Sequence, residues 1–226
     1  MAVYKIFPTQ DATLYSAYPN MNTGLDEIIE ASTNFITGAL QIQGDEPQAS
    51  RFLVQFDSND IAYVTSSLID GNWQANLKVF VANSTGLHTD TVVQVNAVSQ
   101  SWNMGTGRYM DDPEVQNGTS WLWADYSGST LWATTGGAWL NDYSSSQTFS
   151  YRSDLDLNFN VTDIVKQWTA SIANPSNGWS NYGFIVRQSG SQEFVDNINQ
   201  QTTLKYFSVD THTIYPPCLE FKWDDF

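Results

Sequence analysis

Apolar residues in this chain recur at every second position, in short runs, and each run stops at a turn residue. That period is the mark of half-buried strands. Residues 3–7 (VYKIF) alternate and stop at Pro8, and residues 11–16 resume as a short strand. Tyr18 to Gly24 is a turn-rich loop, because Pro19 and Gly24 supply the special dihedrals. Residues 26–31 and 39–43 read as strands, and 51–56 (RFLVQF) as a buried one. In 73–83 (WQANLKVFVAN), Trp73, Leu77, Val79 and Val81 share a face, and 91–99 (TVVQVNAVS) alternates for most of its length. These two runs are expected to form a two-faced strand pair. Residues 155–161 (LDLNFNV), 182–188, 203–209 and 217–223 complete the strands.

The period changes once. Thr162 suits a helix N-cap and Asp163 the first turn. Ile164, Val165, Trp168 and Ile172 follow at helical spacing, until Pro175 and Gly178 stop the run. One short helix over about 162–172 is expected. About ten strands with one helix predict an all-β fold, a two-sheet jelly-roll sandwich. With no repeat and no linker, residues 1–226 read as a single domain with long insertions at about 32–50 and 103–150. The second insertion is glycine-rich but carries Trp121, Trp123, Trp132 and Trp139. Disordered segments are poor in aromatics, so it reads as ordered loops and short strands.

Charge narrows the partners. Nine Lys and Arg stand against 24 Asp and Glu, a net charge of −15. Phosphate backbones and anionic membranes would be repelled, so neither nucleic acid nor membrane is expected as a partner. No stretch of 18 apolar residues offers a membrane span. Cys218 is the single cysteine and sits in an apolar strand, where it is expected to pack as a small hydrophobe. The chain opens without a charged and then apolar leader, which predicts synthesis in a host cytoplasm without a signal peptide.

Catalytic signals are weak. No nucleophile elbow, phosphate loop or His-Glu-x-x-His motif occurs. His88 and His212 are the only histidines, and His212 reads as a turn or surface residue. Asp154 and Asp156 could face one way along a strand, but a pair this close in sequence is expected among 24 acids. No catalytic residue is therefore assigned, and the protein is expected not to be an enzyme. Asn83-Ser84-Thr85, Asn117-Gly118-Thr119 and Asn160-Val161-Thr162 match the glycosylation acceptor pattern, which means nothing without export. Trp73, Trp102 and Trp168 occupy positions that read as core. Trp121, Trp123, Trp132, Trp139 and Trp179 lie in Gly/Ser/Asn-rich loops and are the candidate ligand or interface residues. The plainer reading is that they pin long loops or fill an oligomer interface. The sharper one is that they stack on sugar.

The order of motifs resembles the DNRLRE-type jelly-roll domain, a family similar to carbohydrate-binding modules. Asp11 to Gly24 (DATLYSAYPNMNTG) resembles its opening strand and turn, and Arg51 to Asp57 (RFLVQFD) its next strand. Trp73 to Val81, then Val92 to Asn103, resemble its central pair and Trp-Asn corner. Phe159 to Trp168 (FNVTDIVKQW) resembles its strand-to-helix segment, with Asn160 where the family usually has Asp. Asn181 to Val186 and Pro216 to Phe221 resemble its last strands. The resemblance implies a binding or structural role. An acidic domain of this kind without a leader looks like a virion structural protein of a tailed phage, such as one infecting cyanobacteria. It would be a tail, neck, fibre or head-decoration component, localised to the virion and partnered by other virion proteins or by its own copies. The alternative is a module that attaches a particle or enzyme to polysaccharide, with a glycan as partner. No cofactor is expected beyond a structural calcium, for which Asp11, Asp210 and Asp224 are the candidate ligands.

Overall fold

The computed structural model describes residues 2–35, 47–68, 72–86, 90–150, 156–194 and 201–224. The alternating runs become strands, numbered here in chain order, and most of them gather into two antiparallel sheets. The smaller sheet has four strands: β1 (Ala2–Ile6), β14 (Cys218–Trp223), β5 (Trp73–Val79) and β11 (Leu157–Asn160). The larger runs β10 (Trp139–Phe149), β7 (Thr91–Val98), β12 (Phe184–Gln188), β4 (Pro47–Gln55), β3 (Ile28–Phe35), β13 (Thr202–Phe207) and β6 (Val81–Thr85). Strand β2 (Gln10–Tyr15) joins it along β4, and a small hairpin of β8 (Trp123–Asp125) and β9 (Thr130–Leu131) lies within the long insertion. The expected all-β sandwich is what the chain builds.

Alternation decides which side chains meet between the sheets. Ala75, Leu77 and Val79 of β5, with Leu219 and Phe221 of β14, pack against Phe52, Val54, Val93, Val95, Phe184 and Leu204 of the larger sheet. In β12, Phe184 and Val186 enter this core, while Ile185 points the other way into a second apolar cluster. The larger sheet therefore has apolar side chains on both faces, and its outward face needs a cover.

Two α-helices are present among the described residues where one was expected. The expected one, α2 (Thr162–Ala173), buries Ile164, Val165 and Trp168. The Trp168 ring lies 4.6 Å from Phe184, in the core as its spacing predicts. Ile172, in the last turn, is 42% exposed, because it lies over an open groove beside Trp73 and the other helix and not in the core. Thr162 does not cap the helix: Val161 holds that position without a side-chain bond. Instead the Thr162 hydroxyl accepts from the β5 amide of Ala75 at 3.0 Å, and Asn160 Oδ1 accepts from the Thr162 amide at 3.1 Å. The other helix, α1 (Ser58–Ser66), buries only Ile61 and Val64, too thin a stripe to stand out in the sequence. Asp57 caps it, its Oδ1 accepting from the Asn59 amide at 2.6 Å.

Three further expectations change. The run 73–83 is not one strand. It breaks at Phe80, with β5 in the smaller sheet and β6 in the larger. Nor do 73–83 and 91–99 pair: β5 bonds to β14 and β11, and β7 to β10 and β12. Two runs with one apolar face each can pack across a sandwich as readily as they pair along an edge. The ends of 32–50 are strand and not loop, since β3 and β4 pair from Thr33↔Ala49 to Phe35↔Pro47. The strand expected at 39–43 lies outside the described residues. Trp73, Trp102 and Cys218 are buried as expected. No helix among the described residues is long and apolar enough to cross a membrane.

Candidate ligand groove

Half of the outward face of the larger sheet is covered by the segment that follows β7. Leu53 and Ile185 on the sheet, with Ala12 and Leu14 of β2, meet Trp102, Trp121, Ala124, Trp132 and Ala138. A buried charge pair anchors this cover. Arg51 of β4 donates from Nε and Nη2 to the Glu193 carboxylate at 2.5 and 3.0 Å, and from Nη1 to the Gly136 carbonyl at 2.7 Å. Its guanidinium lies 4.7 Å from the Trp121 ring and 5.0 Å from the Trp139 ring. A forked, planar cation suits this position, because it can bind a carboxylate bidentately while stacking on indoles.

Asn22 fixes the start of the insertion. Its Nδ2 donates to the carbonyls of Met104 and Thr119 at 2.7 and 2.8 Å, and its Oδ1 accepts from the Gly107 amide at 2.6 Å. At Gly24 a Cβ would lie 2.2 Å from the Met104 carbonyl oxygen, so only glycine lets the two loops touch. This docking brings Tyr109 beside β3, where its amide donates to Asp26 Oδ1 at 3.0 Å.

Among the described residues the other half of the outward face is open. There a groove of about 740 Å³ runs over β3, β13 and β6. Its floor is a polar row set by register, since Lys205 of β13 stands opposite both Glu30 of β3 and Asn83 of β6. Lys205 Nζ lies 2.8 Å from Glu30 Oε1. One wall is aromatic. Tyr109 packs on Tyr15 with ring centroids 5.2 Å apart, and on Tyr18 edge-on at 6.1 Å. Tyr15 is buried and hydrogen-bonded to Glu30, whereas Tyr109 is 48% exposed and presents its ring. Asp26 and Glu27 stand at the rim. Burial pushes the Asp26 carboxyl up to about 6, although the Tyr109 amide and Arg108 act against that shift.

The five candidate tryptophans do not form one surface. Trp121 and Trp132 are only 8% and 6% exposed, and Trp132 Nε1 donates to the Ser120 carbonyl at 2.9 Å. They hold the cover down, as the plainer reading has it. Trp139 is half-buried between Arg51 and Arg187. Trp123 lies at the edge of the cover against Tyr126, its Nε1 donating to Asn20 Oδ1 at 3.1 Å. Trp179 is elsewhere, packed on the main core and 5.5 Å from Tyr143. The groove uses tyrosines from two distant segments instead, and of its aromatic wall only Tyr18, at the start of the turn-rich loop, is marked in the sequence.

The candidate calcium ligands divide. Asp11 and Asp210 come close enough to influence each other, while Asp224 is exposed after β14 in the other sheet. Asp11 is 1% exposed, and its Oδ2 accepts from the Val209 amide at 2.6 Å. Burial, with Asp210 nearby, pushes its carboxyl up to about 8, so it holds a proton at neutral pH. No group of three or more His, Cys, Asp or Glu side chains among the described residues is placed to hold a metal ion. His212 is exposed and faces Glu27 at 3.6 Å. His88 and Asp154 lie outside the described residues, and Asp156 accepts from the Val81 amide at 2.8 Å. Compared with known proteins, the chain matches no family model, and no curated protein is found to be similar to it. The resemblance drawn above stands on its motifs alone.

Proposed function

We propose that this protein is a carbohydrate-binding domain that acts by holding a glycan in the groove over β3, β13 and β6. One observation carries the reading: an exposed tyrosine, Tyr109, lines a single open groove together with a hydrogen-bonding floor. Sugars present apolar C–H faces, which stack on rings, and hydroxyls, which pair with carboxylates, amides and ammonium groups. The groove supplies both in the concave form that ligand sites take. Its openness suits a chain passing along the sheet, as an oligosaccharide would. A broad glycan array followed by titration of the best binder tests the reading. Binding should be lost in Tyr109→Ala with the fold intact by circular dichroism. A blank array with well-folded protein would overturn it.

A second reading, assembly into a phage particle through protein–protein contacts, has its own observation. Strand β1 pairs only with β14 among the described residues and leaves Val3 and Tyr4 exposed, with Phe7 just beyond. Unpaired, apolar edges invite another chain. Mass spectrometry of purified particles tests it, and absence of the protein from them would exclude it.

A further inference from the structure

The charge of the lining limits what the groove can hold. Three carboxylates face it, Asp26, Glu27 and Glu30, against one cationic side chain, Lys205. Lys205 is already engaged by Glu30. That leaves Asp26 and Glu27 at the rim with no lysine or arginine among the described lining residues to balance them. The groups facing them from outside are the exposed His212, 3.6 Å from Glu27, and the exposed Arg108, which acts on Asp26 from its own loop. Tyr109 is bonded to Asp26 through its amide, so ring and carboxylate are held side by side at the same rim.

An exposed ring next to carboxylates that no lysine or arginine of the described lining pairs is a receptor for a protonated amine. The ring face attracts a cation, and the carboxylates accept its N–H groups. A uronate or sulfated sugar would meet carboxylates of its own sign, on a chain of net charge −15. We infer that the groove selects saccharides bearing free primary amines, the de-N-acetylated amino sugars, over their N-acetylated, neutral and acidic counterparts. The inference rests on the glycan-binding reading and adds to it the charge of the ligand. The amine sits at the rim, where Asp26, Glu27 and Tyr109 reach it, and the Glu30–Lys205–Asn83 row takes the hydroxyls of the adjoining units.

The test is calorimetric titration of the full chain at neutral pH with three probes of equal length. These are a glucosamine oligomer, an N-acetylglucosamine oligomer and a galacturonic acid oligomer. The glucosamine oligomer should bind at least about tenfold more tightly than the acetylated one, the effect of one well-placed contact. The uronate should give no heat. The advantage should narrow in high salt, because the rim is open to solvent. The double variant Asp26→Asn, Glu27→Gln should bring the two affinities together. An acidic protein also adsorbs polyamines without specificity, so Tyr109→Ala is the control. Glucosamine binding that survives it is adsorption and overturns the inference. If the acetylated oligomer binds as tightly or more tightly, the charge inference falls while the glycan reading stands. If no probe binds and a glycan array is also blank, the glycan reading falls and takes the inference with it.

Discussion

The outward face of the larger sheet is built in two ways. Around β4 and β12 it is apolar and roofed by the segment after β7. Over β3, β13 and β6 it is polar and open. The divide runs along β2, whose Ala12 and Leu14 pack under the roof while Tyr15 and Thr13 turn toward β3. The difference shows what each kind of face demands. Leu53 and Ile185 gain from being removed from water, so a cover is worth building there. That cover then needs Arg51, Glu193 and four indoles to hold it in place. Glu30 and Lys205 pair with each other, so no apolar cover is called for, and among the described residues the space stays free for a ligand.

The covered half should be the fragile one. Trp132→Ala removes a buried ring from the roof and is expected to cost about 3–5 kcal/mol in urea unfolding. A loss below about 1 kcal/mol, the range of surface sites, would show that the roof contributes little. Glu193→Ala strands Arg51 without its carboxylate in a buried place, and a loss of about 3–5 kcal/mol is expected. Restoring only the shape with Glu193→Gln should recover part of it, since one acceptor returns. No recovery at all would shift the emphasis from hydrogen bonding to charge.

At the divide the sign reverses. Asp11 holds its proton up to a pH of about 8 in the fold, against about 3.9 when unfolded. Between those values the folded chain binds a proton that the unfolded chain releases. Asp11 therefore favours folding most below about pH 4, and that contribution is lost as pH rises toward 8. Asp11→Asn keeps the acceptor for Val209 and removes the titration. It should stabilise the protein by about 5 kcal/mol at pH 8 and by little near pH 4, read as melting temperatures across pH. An equal effect at both ends would mean that Asp11 stays ionised.

The smallest change in stability should come from the open half. Tyr109→Ala is expected to cost about 1 kcal/mol or less, because the ring is half-exposed. The same variant should weaken glycan binding at least about tenfold. A large loss of stability with binding retained would turn the comparison around, making Tyr109 part of the roof.

Much of this architecture is legible in the chain. Period-two runs such as 91–99 and 203–209 fall on strands because alternation is all a half-buried strand needs. Trp168, four residues after Ile164, marks the face of α2. Alternation says which side of a strand is apolar, but not what that side meets, and so the change of sheet at Phe80 is invisible. Helix α1 announces itself only by Asp57 at the cap and Asp60 in the first turn, with two buried side chains behind them. The roof could be read as ordered from its tryptophans, and it is. The groove could not, because its wall joins Tyr15 to Tyr109 and its floor depends on Lys205 meeting Glu30 across strands far apart in sequence. Counting tryptophans drew attention to residues that the fold keeps mainly for itself.

The crossing at Phe80 has a mechanical meaning. Val79 ends a strand of one sheet, and Val81 begins a strand of the other. Over most of their area the layers adhere through side chains that can slip past one another, but at this corner a single peptide run is sewn into both. Any sliding of one layer over the other near it must stretch covalent bonds or unzip β6 from β13, since those two are joined in a ladder. The sandwich is stitched here and again where Ile6 of β1 leads through residues 7–9 to Gln10 of β2, and a domain tugged by a tethered polymer would yield first away from these stitches.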